Sequence, residues 1–135
     1  MAFTLDPRLA ADSVPVADLT LSRVLLINDQ RFPWLILVPR RDKVTELIDL
    51  SDLDVATLYG EVRLAGRALQ DLTGADKLNV AALGNVVTQL HVHVIARSKR
   101  DAAWPRPVWG FGTAEPYEPQ AQAAFVADIQ RALVC

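Results

Sequence analysis

A long helical pattern between Ser51 and Leu72 constrains the fold of this chain more than any other feature of its sequence. Apolar side chains recur there at steps of three and four residues, which places them on one face of an α-helix. They are Val55, Leu58, Tyr59, Val62, Ala65, Leu69 and Leu72. Ser51 with Asp54 resembles a capping box, and Gly74 can end the helix. Such a one-sided helix is expected to pack on another layer of structure.

Four strand-like segments surround this helix, two before it and two after it. They are residues 19–28, 33–39, 77–83 and 87–96. The second is apolar almost throughout, as in a strand that is covered on both faces. Residues 6–11 can form a short helix with Pro7 in its first turn, and a final helix is expected from Pro119. The order of strands, long helix and further strands predicts an α+β fold with a mostly antiparallel sheet.

The chain is predicted to form a single domain over residues 1–135. It contains neither an internal repeat nor a low-complexity tract or long linker that would mark a boundary. The proline-rich segment from Trp104 to Gly110 is expected to be irregular, because prolines cannot continue a hydrogen-bonded ladder.

Composition argues against several classes of protein. The 135 residues include two histidines and one cysteine, too few for a zinc site with four Cys or His ligands. Cys135 alone cannot form an intramolecular disulfide. Fourteen basic and 16 acidic residues give a net charge of −2, which argues against a nucleic-acid-binding domain.

We expect a cytoplasmic protein without a membrane partner. Apolar runs stay well below the roughly 18–20 residues that span a bilayer. The first residues, from Met1 to Pro7, lack the charged start and apolar stretch of a secretory signal.

The two histidines occur in one alternating segment, Gln89-Leu90-His91-Val92-His93-Val94-Ile95. Side chains on a strand alternate between its two faces, so Leu90, Val92 and Val94 would face the core. Gln89, His91 and His93 would share the opposite face. Three hydrogen-bonding side chains in a row can hold one polar or anionic ligand.

Three interpretations of this row remain open on the residues alone. It can be the polar face of a half-exposed strand. It can supply two metal ligands, which would need a third from Asp76, Asp101 or Glu115. It can also serve nucleophilic catalysis, because a neutral imidazole with an ordinary pKa near 6.5 can attack phosphorus.

The segment resembles the signature of the histidine-triad (HIT) family, in which three histidines alternate with apolar residues. Leu26-Ile27-Asn28 followed by Pro33-Trp34-Leu35-Ile36-Leu37-Val38-Pro39 is similar to the hairpin of that family. The long helix and the next two strands fall in the expected order. The resemblance covers about residues 19–100 and is closest to the branch of diadenosine polyphosphate hydrolases and nucleoside phosphoramidases.

The resemblance implies a homodimeric nucleotide hydrolase or nucleotidyl transferase that acts at the α-phosphate of a nucleotide conjugate. His91 would be the nucleophile that forms a nucleotidyl-histidine intermediate, and His93 would lie near the phosphate and leaving group. This chemistry requires no cofactor, although a polyphosphate substrate can arrive with a divalent cation. A nucleotide-binding module with an incomplete triad is the alternative.

Further site residues follow from the same resemblance. Asn28 would bind the ribose, Asn85 a phosphoryl oxygen, and Arg97 is a candidate phosphate contact. Gln89 replaces the first triad histidine, and its amide can donate and accept hydrogen bonds but cannot titrate near neutrality. Two further family features differ, because the loop before the triad is short and the histidine after the second strand is missing. Trp104 and Trp109 are expected mainly to pack as anchors.

Overall fold

A computed structural model describes residues 2–134 of the chain. Met1 and Cys135 lie outside the described residues, and so does the expectation concerning a disulfide of Cys135. Within residues 2–134, none of the helices is both long enough and apolar enough to cross a membrane.

The centre of the fold is an antiparallel sheet of five strands. In chain order the strands are β1 (Ser13–Asp18), β2 (Ser22–Ile27), β3 (Trp34–Pro39), β4 (Lys77–Ala82) and β5 (Val92–Arg97). Their spatial order is β1-β2-β3-β5-β4, so β5 lies between β3 and β4. Within the described residues, three α-helices accompany the sheet: α1 (Pro7–Ala11), α2 (Asp52–Thr73) and α3 (Pro119–Leu133). The predicted α+β class with a mostly antiparallel sheet is confirmed.

The sequence patterns located two strands incorrectly. The predicted strand over residues 19–28 begins only at Ser22, and β1 precedes it as a strand that was not predicted. Pro15 lies inside β1, and proline normally argues against a strand. Here β1 is an edge strand whose register shifts between Pro15 and Ala17, so the proline is accommodated at an irregularity.

The strand predicted over residues 87–96 is shorter at its start. β5 begins at Val92, which pairs with Leu37 of β3 on one side and with Ala82 of β4 on the other. These are the last pairs that β5 makes with the two neighbouring strands. Residues 87–91 therefore run as an irregular segment, and Leu90 is held there by a hydrogen bond from its N–H to the carbonyl of Val44.

Helix α2 covers one face of the sheet, as predicted, but Tyr59 and Leu72 of the predicted apolar stripe are exposed and lie outside the packed face. The hydroxyl of Ser51 accepts from the N–H of Asp54 at its start, and Gly74 ends it with a positive φ of 64°. Leu90, Val92 and Val94 belong to the core that α2 shares with the sheet. Gly66 permits close approach there, because a Cβ atom at this position would lie 3.1 Å from Cδ1 of Leu78.

Two separate segments of the chain cover the opposite face of the sheet. Residues 3–12, which we call the N-terminal arm, pack Phe3, Leu5 and Leu9 against apolar side chains of β2 and β3. The segment from Trp104 to Gly110 is irregular, as predicted, and packs Val108 and Trp109 beside Phe32 and Ile95. A cleft opens between these two coverings.

Candidate active site

The cleft has a volume of about 650 Å³ and contains both histidines of the described chain. Its floor is the sheet at His91, His93 and Trp34. The N-terminal arm forms one wall through Leu9, Ala11 and Asp12. The remaining boundary includes Asn28, Asn85 and the loop of residues 108–114. A cavity of this size falls in the range of small-molecule sites.

His91 lies just before β5, and its side chain is only 6% exposed. Its Nδ1 lies 2.7 Å from the carbonyl oxygen of Gln89. A carbonyl oxygen can only accept, so Nδ1 carries the proton and Nε2 of the neutral ring carries the lone pair. The backbone carbonyl thus fixes the tautomer in which Nε2 is the nucleophilic atom.

His93 lies on β5 with its ring centroid 4.9 Å from that of His91. The indole Nε1–H of Trp34 donates to Nδ1 of His93 at 2.9 Å, and the ring of Trp109 meets His93 edge-on at a centroid distance of 5.2 Å. Burial, and secondarily the neighbouring His91, lowers the pKa of His93 from 6.5 to about 4. His93 is therefore a neutral ring near pH 7, with its proton on Nε2.

The two imidazoles are buried rather than half-exposed, with His93 at 7% exposure. This burial does not fit the interpretation of the row as a solvated strand face. The structure also places none of the three candidate carboxylates, Asp76, Asp101 and Glu115, in a metal-binding group with the two histidines. Asp101 is paired with Arg97 at 2.8 Å, and Asp76 accepts from the N–H of Lys99. Among residues 2–134, no group of three or more His, Cys, Asp or Glu side chains lies close enough together to hold a metal ion.

Asn28 and Asn85, the predicted ribose and phosphoryl contacts, both line the cleft that holds the histidines. Oδ1 of Asn28 accepts from the N–H of Tyr117 at 2.9 Å and from Nε2 of Gln122 at 3.1 Å. Its Nδ2 group is the part of the amide that can donate to a ligand. Asn85 is exposed at the rim of the cleft.

Gln89 has a different position from the one that strand alternation predicts. Residue 89 precedes β5 in the irregular segment, so the period of two does not extend to it. Its amide is bonded to the N-terminal arm, with Oε1 accepting from the N–H of Asp6 and Nε2 donating to the carbonyl of Thr4, both at 2.8 Å. Gln89 does not line the cleft that holds both histidines, but together with His91 it borders a smaller cavity of about 300 Å³.

Arg97 also lies away from the cleft. Its guanidinium is 2% exposed, pairs in bidentate fashion with Asp101 and donates to Oδ1 of Asn79 and the carbonyl of Arg106. The ring of Trp104 stacks near it at 5.7 Å. This geometry favours a role in holding the loop after β5, and it does not favour the predicted phosphate contact.

A buried ion pair that the sequence did not reveal shapes the loop of residues 108–114. Asp29 is 2% exposed and pairs with Arg31 at 2.8 Å, while Nη1 of Arg31 donates to the carbonyl of Phe111 at 2.7 Å. Burial raises the pKa of Asp29, but the hydrogen bonds from Arg31 and from the N–H of Glu115 outweigh it and keep the pKa below its ordinary value. The local signal in the sequence was a pair of opposite charges two residues apart, just after β2.

The chain and its structure match known proteins of one family. A family model described as "HIT domain" matches residues 8–100. The structure is similar to that of a histidine triad (HIT) protein from Sinorhizobium meliloti 1021, with 50% identity, 96% of each chain covered and a TM-score of 0.94. It is also similar to a histidine triad protein from Bradyrhizobium japonicum, with 47% identity, 98% of this chain and 99% of the other covered, and a TM-score of 0.96.

A curated relative matches over a shorter region. Adenylylsulfatase HINT3 of Arabidopsis thaliana is 36% identical over a match of 55 residues, with 37% of this chain and 28% of that protein covered. The match thus spans little more than a quarter of the relative's length. The family model covers more than half of the chain and includes both histidines, and the fold agrees along nearly its whole length. The chain belongs to the histidine-triad (HIT) family.

Proposed function

We propose that the protein is a nucleotide hydrolase or nucleotidyl transferase that acts at the α-phosphate of a nucleotide conjugate. The single observation that carries this proposal is the hydrogen bond from Nδ1 of His91 to the carbonyl of Gln89. It leaves the lone pair of Nε2 as the nucleophile of an imidazole that lines a cleft of small-molecule size. Family membership and the adenylylsulfatase relative support the same class of reaction.

The first step forms a bond between Nε2 of His91 and the α-phosphorus and breaks the bond to the leaving group. The ring of the resulting nucleotidyl-histidine is cationic, and the Nδ1–H bond to the carbonyl of Gln89 stabilises this charge. The leaving group takes a proton from solvent. In the second step the oxygen of water, or of another acceptor, bonds to phosphorus and releases a proton, while Nε2 leaves with its lone pair.

His93 assists as a hydrogen-bond donor in this scheme. Its Nδ1 is occupied by the indole of Trp34, so the Nε2–H group is the one available to a phosphoryl oxygen. A neutral donor placed beforehand stabilises charge that develops on the phosphoryl group. Asn28 would donate through Nδ2 to a ribose hydroxyl, and Asn85 at the rim would donate to a second phosphoryl oxygen.

The substrate class is proposed to be a nucleoside phosphoramidate, a diadenosine polyphosphate or, as in the adenylylsulfatase relative, an adenylyl sulfate. A direct test mixes the protein with each compound radiolabelled at the α-phosphate and stops the reaction with alkaline denaturant. We expect label on the wild-type protein and none on His91→Ala. Tyr59→Ala, an exposed position on α2, is the matched control and should label normally.

The outcomes of this test separate the proposal from its alternative. Nucleotide binding by calorimetry without label or product would contradict the enzyme and favour a binding module with an incomplete triad. Product formed without a trapped intermediate, at an unchanged rate in His91→Ala, would contradict the role of His91.

We also propose that the protein is a homodimer that pairs through β4. This strand is an edge of the sheet, and the other edge strand, β1, is interrupted by Pro15 and a register shift. Apolar side chains surround β4, with Val80 47%, Val86 75% and Ile48 90% exposed. Sedimentation should detect a dimer that Val80→Lys dissociates, whereas a monomer at every concentration would contradict the proposal.

A further inference from the structure

The side-chain amide of Gln89 replaces a peptide group in the contact with the N-terminal arm. Its two partners, the carbonyl of Thr4 and the N–H of Asp6, flank Leu5 on the backbone. In a parallel sheet, a paired residue donates to the carbonyl of the residue before its partner and accepts from the N–H of the residue after it. The side chain of Gln89 makes the same two bonds on either side of Leu5. The amide thus fixes an arm that lies more than 80 residues away in sequence.

A histidine could not make both bonds. The donor and acceptor atoms of an imidazole point away from each other, whereas the oxygen and nitrogen of a carboxamide project side by side. The resemblance to the triad signature predicts histidine at position 89. The glutamine therefore exchanges a titratable ring for a group that can hold two backbone atoms of the arm at once.

The arm that Gln89 holds is part of the cleft. Leu9, Ala11 and Asp12 form one wall, and the carbonyl of Asp12 accepts from the N–H of Asn28 across the cleft's edge. Leu5 and Leu9 anchor the arm on the sheet beside these bonds. Asp6 is also the N-cap of α1, which contains Leu9 and Ala11, so we expect a displacement at Asp6 to reach that wall of the cleft.

We propose that Gln89 is a positioning residue that acts on substrate affinity through the N-terminal arm and makes no contact with the phosphate. The proposal rests on nucleotide binding in the cleft, as proposed above. It predicts that loss of the amide weakens binding of the nucleotide while the chemical step at His91 proceeds as before.

The first experiment compares Gln89→Leu with the wild-type protein by amide hydrogen exchange and by calorimetric titration with AMP. We expect the N–H of Asp6 to lose its protection and the Kd for AMP to rise roughly five- to tenfold, the effect of about one net hydrogen-bond contribution. Gln89→Glu, which keeps an acceptor for Asp6 but loses the donor to Thr4, should lie between the two. Gln130→Leu is the matched control, because its amide also bonds to a distant backbone carbonyl, that of Val16.

Kinetics with a substrate that the labelling test identifies provide the second readout. The substitution Gln89→Leu keeps the backbone carbonyl that accepts from Nδ1 of His91 and removes only the side-chain amide. We therefore expect KM to rise while kcat changes by less than about twofold. A large fall of kcat with unchanged KM and unchanged protection of Asp6 would overturn the proposal, because it would place Gln89 at the reacting phosphate.

A double-mutant cycle with Leu5→Ala tests whether the effect passes through the arm. If Leu5→Ala has already loosened the arm, Gln89→Leu should add much less to the Kd for AMP than it does in the wild-type background. Full additivity would overturn the proposal. Should AMP fail to bind the wild-type protein, the proposed function and this proposal fail together, whereas normal AMP binding with unaltered exchange at Asp6 in Gln89→Leu refutes this proposal alone.

Discussion

The indole Nε1–H of Trp34 donates to Nδ1 of His93 at 2.9 Å, across two neighbouring strands. Indole nitrogen can only donate, so the bond requires an unprotonated Nδ1. Trp34 therefore selects one tautomer of His93, while the carbonyl of Gln89 selects the opposite one for His91. The ring centroids of the two histidines lie 4.9 Å apart. The remaining nitrogen, Nε2, carries a lone pair in His91 and an N–H group in His93. In the proposed mechanism, the lone pair attacks the phosphoryl group and the N–H group donates to it.

Replacement of Trp34 by Phe should release His93 from this tautomer. The indole bond holds the tautomer, whereas burial and the neighbouring His91 lower the pKa of His93 to about 4, so the ring should stay neutral near pH 7 in this variant. Nitrogen-15 NMR of labelled histidine should show a mixture of tautomers, and kcat/KM should fall about tenfold, equivalent to about 1.4 kcal/mol. An unchanged tautomer in Trp34→Phe would show that the indole is not responsible.

The protein should become less stable as the pH falls through the range in which His93 takes up a proton in the unfolded chain but not in the folded one. Its pKa is about 4 when folded and 6.5 in its ordinary state, so the unfolded chain binds more protons between these values. The free energy of unfolding therefore falls as pH decreases from about 6.5 to 4, with a slope approaching about 1.4 kcal/mol per pH unit. Urea denaturation over this range measures the slope.

His93→Gln provides the control for the acid window. The variant lacks the ring, so its slope between pH 6.5 and 4 should be smaller than that of the wild-type protein. The carboxyls of Asp29 and Asp101 have pKa values below the ordinary 3.8, and because both proteins contain them, their contribution cancels in the comparison. Equal slopes in the two proteins would contradict the assignment.

Removal of Arg31 should be more harmful than removal of the whole ion pair. Arg31→Met leaves the carboxylate of Asp29 buried without its cation, and breaking a buried pair in this way costs about 3–5 kcal/mol. Asp29→Asn combined with Arg31→Met leaves no uncompensated charge and should cost less. Denaturant midpoints of the three proteins test this order, and a double variant less stable than Arg31→Met would disprove it.

Arg97 provides a test that separates structure from substrate binding. Lysine at this position cannot reproduce the bidentate bond to Asp101 together with the bonds to Asn79 and the carbonyl of Arg106. Arg97→Lys should therefore lower the free energy of unfolding by about 2–4 kcal/mol. Its Kd for AMP should remain that of the wild-type protein. A weakened Kd at unchanged stability would instead restore Arg97 as a phosphate contact.

The elements predicted best are those whose signal is local. The apolar stripe and its caps located α2 because helix periodicity depends on neighbours three and four residues apart. Pro7 and Pro119 likewise marked the first turns of α1 and α3. β1 was missed because Pro15 is a local signal against a strand, and only pairing with β2 at an irregular edge accommodates it.

The sequence by itself determined the fold class, the long helix and the segment that carries both histidines. Alternation along that segment was enough to bring His91 and His93 together, because the two residues are separated by a single position. The tertiary structure alone decided which atom of each ring is available, since Trp34 lies 59 residues from His93. It also turned the amide of Gln89 to the N-terminal arm, 83 residues away at Asp6. Local periodicity carries no information about such partners, because they meet only when the sheet and its coverings have formed.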